Sequence, residues 1–259
     1  GSRGWSLELS TDDLDSAYRR ALVAAPAHAV SAFYHPPSGE VRFLTRPGSC
    51  FGLVSAVLYF NAIPAATTSA ARRLLGLPTD HFYDDLWLLM LRGCGADGQA
   101  ALDALHRRFG YPLSLRKRKP PALARKFCGV VNDFTRLAEH GEVQLYVDDE
   151  RKQKLVGLCE AGLVRLPPHE AERLCGKLRF SLSWSVGRFG LAALQPIQRR
   201  ADSGHSHSSA VTPAIARALL FLIDVVGALA PRTLSLDVPS RPPLLVWTDA
   251  MCAPSADGG

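Results

Sequence analysis

Several things are scarce in this sequence, and each shortage removes a class of protein. No apolar run is long enough to cross a bilayer: Ala218-Leu219-Leu220-Phe221-Leu222-Ile223 stops at Asp224, well short of the roughly 20 residues a spanning helix needs. The six cysteines, Cys50, Cys94, Cys128, Cys159, Cys175 and Cys252, show neither CxxC spacing nor a histidine pattern beside them. They read as free intracellular thiols rather than as a disulfide framework or a zinc site. No basic and apolar leader opens the chain, so nothing marks secretion and the expected location is intracellular, cytoplasmic or nuclear. Internal repeats are lacking too. The charge excess is modest, 30 lysines and arginines against 24 acids for a net +6 and a pI near 9.1. That leans towards a polyanionic partner without establishing one.

What is present is a globular balance of 47% hydrophobic and 21% charged residues over 259 positions, enough for one large core or two modest ones. Two acidic stations stand out within it. Asp13 lies in Thr11-Asp12-Asp13-Leu14-Asp15-Ser16-Ala17-Tyr18, and Asp84-Asp85 lies in His81-Phe82-Tyr83-Asp84-Asp85-Leu86-Trp87-Leu88. Both runs read as strand. Half-buried carboxylates are costly unless paired or metal-bound, and adjacent aspartates repel unless a cation lies between them.

Along the chain, alternation and aromatic content predict a strand over Leu7 to Asp13, a helix over Ser16 to Ala25, and a hairpin from Ala29 to Tyr34 and Glu40 to Leu44. An alanine-rich helical pattern follows from Phe51 to Leu75, expected to be split by Pro64. His81 to Leu91 is a strand with its bend near Asp84-Asp85. Asp97 to Phe109 is an amphipathic helix with Ala100, Ala101, Leu102, Leu105 and Phe109 inward and Gly110 as its cap. Strand pieces are expected at Tyr111 to Leu115, Lys126 to Val131 and Glu142 to Tyr146. Helices are expected from Asp148 to Ala161, from Pro167 to about Phe180, from Val186 to Gln198 and from Pro213 to Leu229. Leu244 to Ala250 reads as a further strand.

A strand acid and two acids at a later hairpin bend can meet at one sheet edge, as a two-metal phosphoryl-transfer site requires. The alternatives are a solvated hairpin turn for Asp84-Asp85 and ordinary helix capping for Asp12, Asp13 and Asp15.

These motifs together resemble the palm of a reverse transcriptase, the RNA-directed DNA polymerase of retroelements and retroviruses, of the DIRS-like and pararetroviral kind. Asp13 with Tyr18 five positions on is similar to the first palm motif, Cys50-Phe51-Gly52 to the glycine segment, and Phe82-Tyr83-Asp84-Asp85 to the Tyr-x-Asp-Asp hairpin. They occur in family order. Departures are Cys50 where the family usually has proline, Val57 where many relatives have another residue, and Phe82 in place of the hairpin's first tyrosine. Phe127-Cys128-Gly129 resembles the turn that grips the primer end, and Trp247-Thr248-Asp249-Ala250 the opening strand of a ribonuclease H domain.

The resemblance implies an α+β fold, an antiparallel palm sheet packed on helices and followed by a mainly helical thumb and connection region. Its implied divisions are a palm lacking N-terminal fingers over 1–146, a thumb-like region over 147–200, a linker and connection helix over 201–243, and a truncated ribonuclease H start over 244–259. It implies Asp13, Asp84 and Asp85 as catalytic ligands of two Mg2+ ions, with Mn2+ as a substitute. Tyr18 would be the steric gate, and Phe51 and Gly52 would line the nucleotide pocket. Phe127, Gly129, Lys177, Arg179 and Arg188 would contact nucleic acid, and a lysine of Arg116-Lys117-Arg118-Lys119 would lie near the departing pyrophosphate. The implied partners are a primed RNA or DNA template, deoxynucleoside triphosphates, and the missing fingers and ribonuclease H regions of a longer polyprotein. A truncated palm that only binds nucleic acid, a palm polymerase copying RNA into RNA, and a non-catalytic interaction module remain as other readings.

Overall fold

The computed structural model describes residues 5–28, 30–45, 47–49, 54–183, 190–203 and 209–236. At its centre is a four-stranded antiparallel sheet in the order β4-β5-β1-β6, formed by β1 (Leu7–Asp13), β4 (Thr79–Phe82), β5 (Asp85–Leu91) and β6 (Lys119–Ala122). Side chains alternate across a strand, and the register sorts them cleanly. Ser10 and Asp12 pair with Leu88 and Leu86, and all four are buried. Leu9, Thr11 and Asp13 pair with Leu89, Trp87 and Asp85 on the other face.

The first face packs on two helices, α2 (Val54–Leu75) and α3 (Gly95–Arg108). Leu14, Tyr18, Phe60, Leu86, Leu88, Leu102 and Leu113 share one core there. Pro64 does not split α2, which runs through it. The Thr67 and Thr68 hydroxyls both donate to the Pro64 carbonyl, at 3.1 and 2.7 Å, and packing of the flanking turns overrides the local penalty. In α3 the inward positions are Gly95, Gly98, Gln99, Leu102 and His106. Ala100 and Phe109 are exposed, contrary to expectation, because the sheet meets the face holding the glycines.

The helix expected from Ser16 to Ala25 is a single turn, α1 (Ala17–Arg20). Beyond it the backbone pairs elsewhere: the Val23 N–H donates to the Pro47 carbonyl at 2.8 Å and the Ser49 N–H to the Ala21 carbonyl at 2.8 Å. This pairing requires glycine at 48, where a Cβ would run into the Arg19 backbone. The hairpin of β2 (Val30–His35) and β3 (Glu40–Thr45) forms as expected and stands as its own two-stranded sheet.

A second antiparallel sheet has the order β10-β9-β8-β7, with β7 (Ala124–Phe127), β8 (Val130–Asp133), β9 (Glu142–Tyr146) and β10 (Arg232–Ser235). A one-turn helix, α4 (Leu137–His140), precedes β9. The strand expected from Lys126 to Val131 is a hairpin turning at Cys128 and Gly129, both at positive φ. Tyr111 to Leu115 contributes only an isolated bridge, Leu14 to Leu113. Leu9, Phe134, Leu137 and Val143 join the two sheets in a small core.

The remaining helices are α5 (Asp149–Val164), α6 (Pro168–Ser183), α7 (Gln195–Asp202) and α8 (Pro213–Gly227). They bury Leu155, Cys159, Leu178, Leu182, Ile197, Leu219 and Leu222 in a common core. Asp148 caps α5 by accepting from the Arg151 N–H at 3.1 Å, and Thr212 caps α8 with Pro213 in the first turn. Of the helix expected from Val186 to Gln198, the described residues form a 3-10 turn at Leu191–Leu194 that continues as α7. Residues 184–189 and the strand expected at 244–250 lie outside the described residues. Among the described residues no helix is long and apolar enough to cross a membrane.

Candidate functional site

Strand alternation places Asp12 and Asp13 on opposite faces of one sheet, and their environments differ accordingly. Asp12 points towards α3 and is 3% exposed. Its carboxylate accepts from Arg118 Nε at 2.7 Å and from Gln99 Nε2 at 2.8 Å. Arg118 Nη2 also lies 3.4 Å from Asp103 Oδ1. His106 is fully buried in the same region, and loss of water lowers its pKa.

Asp13 points to the open face, directly across from Asp85 in the β1–β5 register, a separation of about 4.5–5.5 Å between Cα atoms for such pairs. The Leu14 N–H donates to the Asp84 carbonyl at 2.9 Å. The three predicted acids are therefore brought to one end of the central sheet. Between β4 and β5 the chain turns through Tyr83 and Asp84, and Tyr83 holds φ +55°. Such a conformation in a bulky residue costs about 1–3 kcal/mol and is typical of positions where surrounding structure dictates the backbone.

The electrostatics record the crowding. Asp85 lies on the exposed side of the hairpin, yet nearby protein removes part of its water. That desolvation, followed by the charges of Asp84 and Asp13, pushes its pKa above the usual carboxylate value. Lys117 answers the excess: its Nζ donates to Asp13 Oδ1 at 3.0 Å and Oδ2 at 2.9 Å. The bond to Asp13, then the charges of Asp13, Asp84 and Asp85, hold the ammonium pKa up. Burial, reinforced by Asp85 and Asp84, raises the Cys128 thiol to about 11.

Asp13 and Asp85 open onto a cleft of about 420 Å³ whose other walls include Arg116, Lys117, Lys119, Lys126, Phe127 and Cys128. A neighbouring cleft of about 370 Å³ is bounded by Tyr18, Val57, Phe82, Tyr83, Asp84 and Asp85. Tyr18 stacks on Phe60 with ring centroids 4.3 Å apart. Burial, then Asp84 and Tyr83, raises its pKa. The hairpin acids thus separate an apolar recess from a basic one.

Gly129 sits at φ +80°, and a Cβ there would lie 2.5 Å from Arg151 Nη1. Arg151 covers the Phe180 ring at 4.9 Å and donates to Ser181 Oγ at 3.3 Å. Lys177 lines a third cleft of about 260 Å³ with Lys126, Arg151 and Lys154. Arg179 is on the surface, donating to Gln198 at 3.3 Å. Phe51, Gly52 and Arg188 lie outside the described residues.

Sequence reasoning missed Asp12, Gln99, Asp103 and Arg118 as a buried charge network, and Arg151 and Lys154 as part of the basic surface. The parity of Asp12 and Asp13 in β1 was the available signal, because neighbouring strand residues cannot share a face. Among the described residues no group of three or more His, Cys, Asp or Glu side chains is arranged to hold a metal ion. Carboxylate oxygens are nonetheless the ligand type that a hard divalent cation takes. Asp13 and Asp85 face each other in the strand register, desolvation and then the charges of Asp84 and Asp13 raise the pKa of Asp85, and a lysine ammonium sits on both oxygens of Asp13.

No protein-family model matches the sequence, and no curated protein matches it. Solved structures do. The foamy viral protease-reverse transcriptase in complex with RNA/DNA hybrid superimposes with a TM-score of 0.58 at 16% identity, covering 86% of this chain. The same protein in complex with double-stranded DNA gives 0.57 at 14% identity over 91% of this chain. Its dRH form with double-stranded DNA gives 0.58 at 14% over 86%. This chain spans 27%, 44% and 36% of those chains in the same order. Identity this low establishes a distant relationship of fold, with sheets packed on helices as in a palm.

Proposed function

We propose that the chain is part of an RNA-directed DNA polymerase and that its central sheet carries the nucleotidyl-transfer site. The observation that carries this reading is the pairing of Asp13 with Asp85 across β1 and β5, at the hairpin that turns through Tyr83 and Asp84. The reaction is attack of a primer 3′-hydroxyl on the α-phosphate of a deoxynucleoside triphosphate, with pyrophosphate leaving. Two divalent cations, Mg2+ or Mn2+, held by Asp13, Asp84 and Asp85 would supply alignment and charge neutralisation.

The chain's own groups then have distinct tasks. Tyr18, its ring fixed by Phe60, fills the space a ribose 2′-hydroxyl would need, with Phe51 and Gly52 proposed beside it on the grounds of resemblance. The Phe127-Cys128-Gly129 turn borders the basic cleft and would hold the primer end. Lys126, Arg151, Lys154 and Lys177 face one cleft and suit phosphate contacts, which fix affinity rather than sequence preference. Arg179 and Arg188 would extend that track. In this scheme residues 1–146 form the palm, 147–200 the thumb, 201–243 the linker and connection helix, and 244–259 the start of a ribonuclease H domain. The helix α8 shares the core of α5 and α6, so thumb and connection would move together.

Primer extension on an RNA template tests this. Incorporation that requires Mg2+ or Mn2+ and disappears in Asp84→Asn supports it. Extension retained in both Asp13→Asn and Asp84→Asn overturns it. A second reading, a palm that binds nucleic acid without catalysis, is favoured by the Lys117 ammonium on Asp13. It predicts duplex binding without extension.

A further inference from the structure

Between two fixed points the chain opposite β1 carries an unusual excess of residues. Leu14 bridges Leu113, and Thr11 pairs with Lys119. Two residues of β1, Asp12 and Asp13, thus oppose the five of 114–118. The excess folds into a tight turn in which the Lys117 and Arg118 N–H groups both donate to the Ser114 carbonyl at 3.1 Å, while the Ser114 N–H donates to the Asp13 carbonyl at 2.8 Å. The bulge is anchored at its end by Arg118. Its partner Asp12 has a side chain only 1% exposed, and Asp103 and Gln99 complete the surround.

Consecutive residues of the bulge therefore engage consecutive acids of the strand on opposite faces: Arg118 on Asp12 inside, Lys117 on Asp13 outside. The two pairs are unlike. Arg118 is largely buried, bonded through Nε to Asp12 at 2.7 Å with Asp103 a second carboxylate at 3.4 Å, a setting suited to permanence. Lys117 has a side chain 53% exposed, and an exposed lysine-carboxylate contact on a flexible stem contributes little and is readily exchanged.

We propose that the 114–118 bulge is a tethered counter-ion: the buried Arg118–Asp12 pair presents Lys117 to Asp13, where its ammonium occupies the carboxylate until a divalent cation displaces it. This rests on the metal reading above and adds a determinant of cation affinity. Lys117 competes with the cation, so the protein holds Asp13 neutralised at rest. On displacement the ammonium leaves Asp13 but stays in the basic cleft that it already lines with Arg116, Lys119 and Lys126. Arg118 is a positioning residue in this scheme. It touches neither cation nor nucleotide.

The test is Mn2+ binding to the purified chain, followed by loss of the free-ion electron paramagnetic resonance signal, in wild type, Lys117→Met, Lys119→Met and Asp13→Asn. Lys117→Met is expected to tighten Mn2+ binding about two- to five-fold, the effect of deleting one exposed competing charge. Lys119→Met, which removes the same charge from the same cleft without touching Asp13, is expected to change it less than about two-fold. Asp13→Asn is expected to abolish the tight site. Equal tightening by both lysine variants, or none by Lys117→Met while Asp13→Asn still abolishes binding, overturns the counter-ion and leaves the metal site standing. Absence of saturable binding in wild type and Lys117→Met alike overturns both.

Discussion

Replacing Arg118 by methionine leaves the Asp12 carboxylate 1% exposed at its side chain with Gln99 Nε2 at 2.8 Å as its remaining side-chain donor. Breaking a buried ion pair from one side costs about 3–5 kcal/mol, because the remaining charge is stranded in low dielectric. Arg118 is itself 23% exposed, so water reaches the site and the lower figure, about 3 kcal/mol, applies. At this chain length roughly 2 °C of Tm is lost per kcal/mol, giving a fall of about 6 °C by circular dichroism. Asp12→Asn is milder, since Arg118 keeps Asp103 at 3.4 Å and some solvent. The double variant Asp12→Asn/Arg118→Met no longer strands a charge and should cost less than the two singles together, by a coupling of about 1.5–3 kcal/mol. A shift below about 1 °C in Arg118→Met, or additive singles, would refute a buried, structure-bearing pair.

Three further outcomes follow from the site. The raised pKa of Asp85 means that the folded state binds its proton more tightly than the unfolded chain does. Its contribution is thus complete below about pH 3.8 and is lost as pH rises through the folded value. Asp85→Asn should accordingly raise Tm at pH 7 by about 1–2 °C, screened as the residue is, with the gain gone near pH 3; an unchanged Tm at pH 7 contradicts the crowding. With a pKa of about 11, only about one Cys128 in a thousand is thiolate at pH 8, so it should react with maleimide far more slowly than exposed Cys94. Asp84→Asn or added Mg2+ should speed Cys128, as read by mass spectrometry of labelled peptides. Tyr18→Val removes the stack on Phe60 and should cost about 2–4 kcal/mol in urea unfolding. In primer extension it should also raise ribonucleotide use, and an unchanged ratio refutes the gate.

Much of the fold was legible because local signals agreed with the final packing. Alternation marked β1 and β5, the helical runs starting at Asp148 and Pro213 marked α5 and α8, and the bend expected near Asp84-Asp85 lies one residue earlier, at Tyr83-Asp84. The failures share a cause. Ala21 to Ala25 leaves the helix because Pro47 and Ser49 offer backbone partners more than 20 positions away, which no local pattern encodes. Pro64 stays within α2 because Thr67 and Thr68 and the packing around Phe60 hold both halves in line. At the site, Asp13, Asp84 and Asp85 could be picked out as acids in strand-like runs. Their surroundings could not, since Gln99, Lys117 and Arg118 reach Asp12 and Asp13 across 87 to 106 positions. Gly129 shows the same limit: its need for glycine follows from φ +80° and from the Arg151 guanidinium seated against it.

The central claim is that Asp13 and the hairpin acids together hold divalent cations beside the basic cleft. Ferrous iron can stand in for Mg2+ and, with ascorbate and peroxide, cuts the backbone only near where it binds. The account predicts cleavage confined to segments around residues 13, 84 and 117, suppressed by excess Mg2+ and absent in Asp13→Asn. Diffuse cleavage that Mg2+ does not suppress, or an identical pattern in Asp13→Asn, would contradict it.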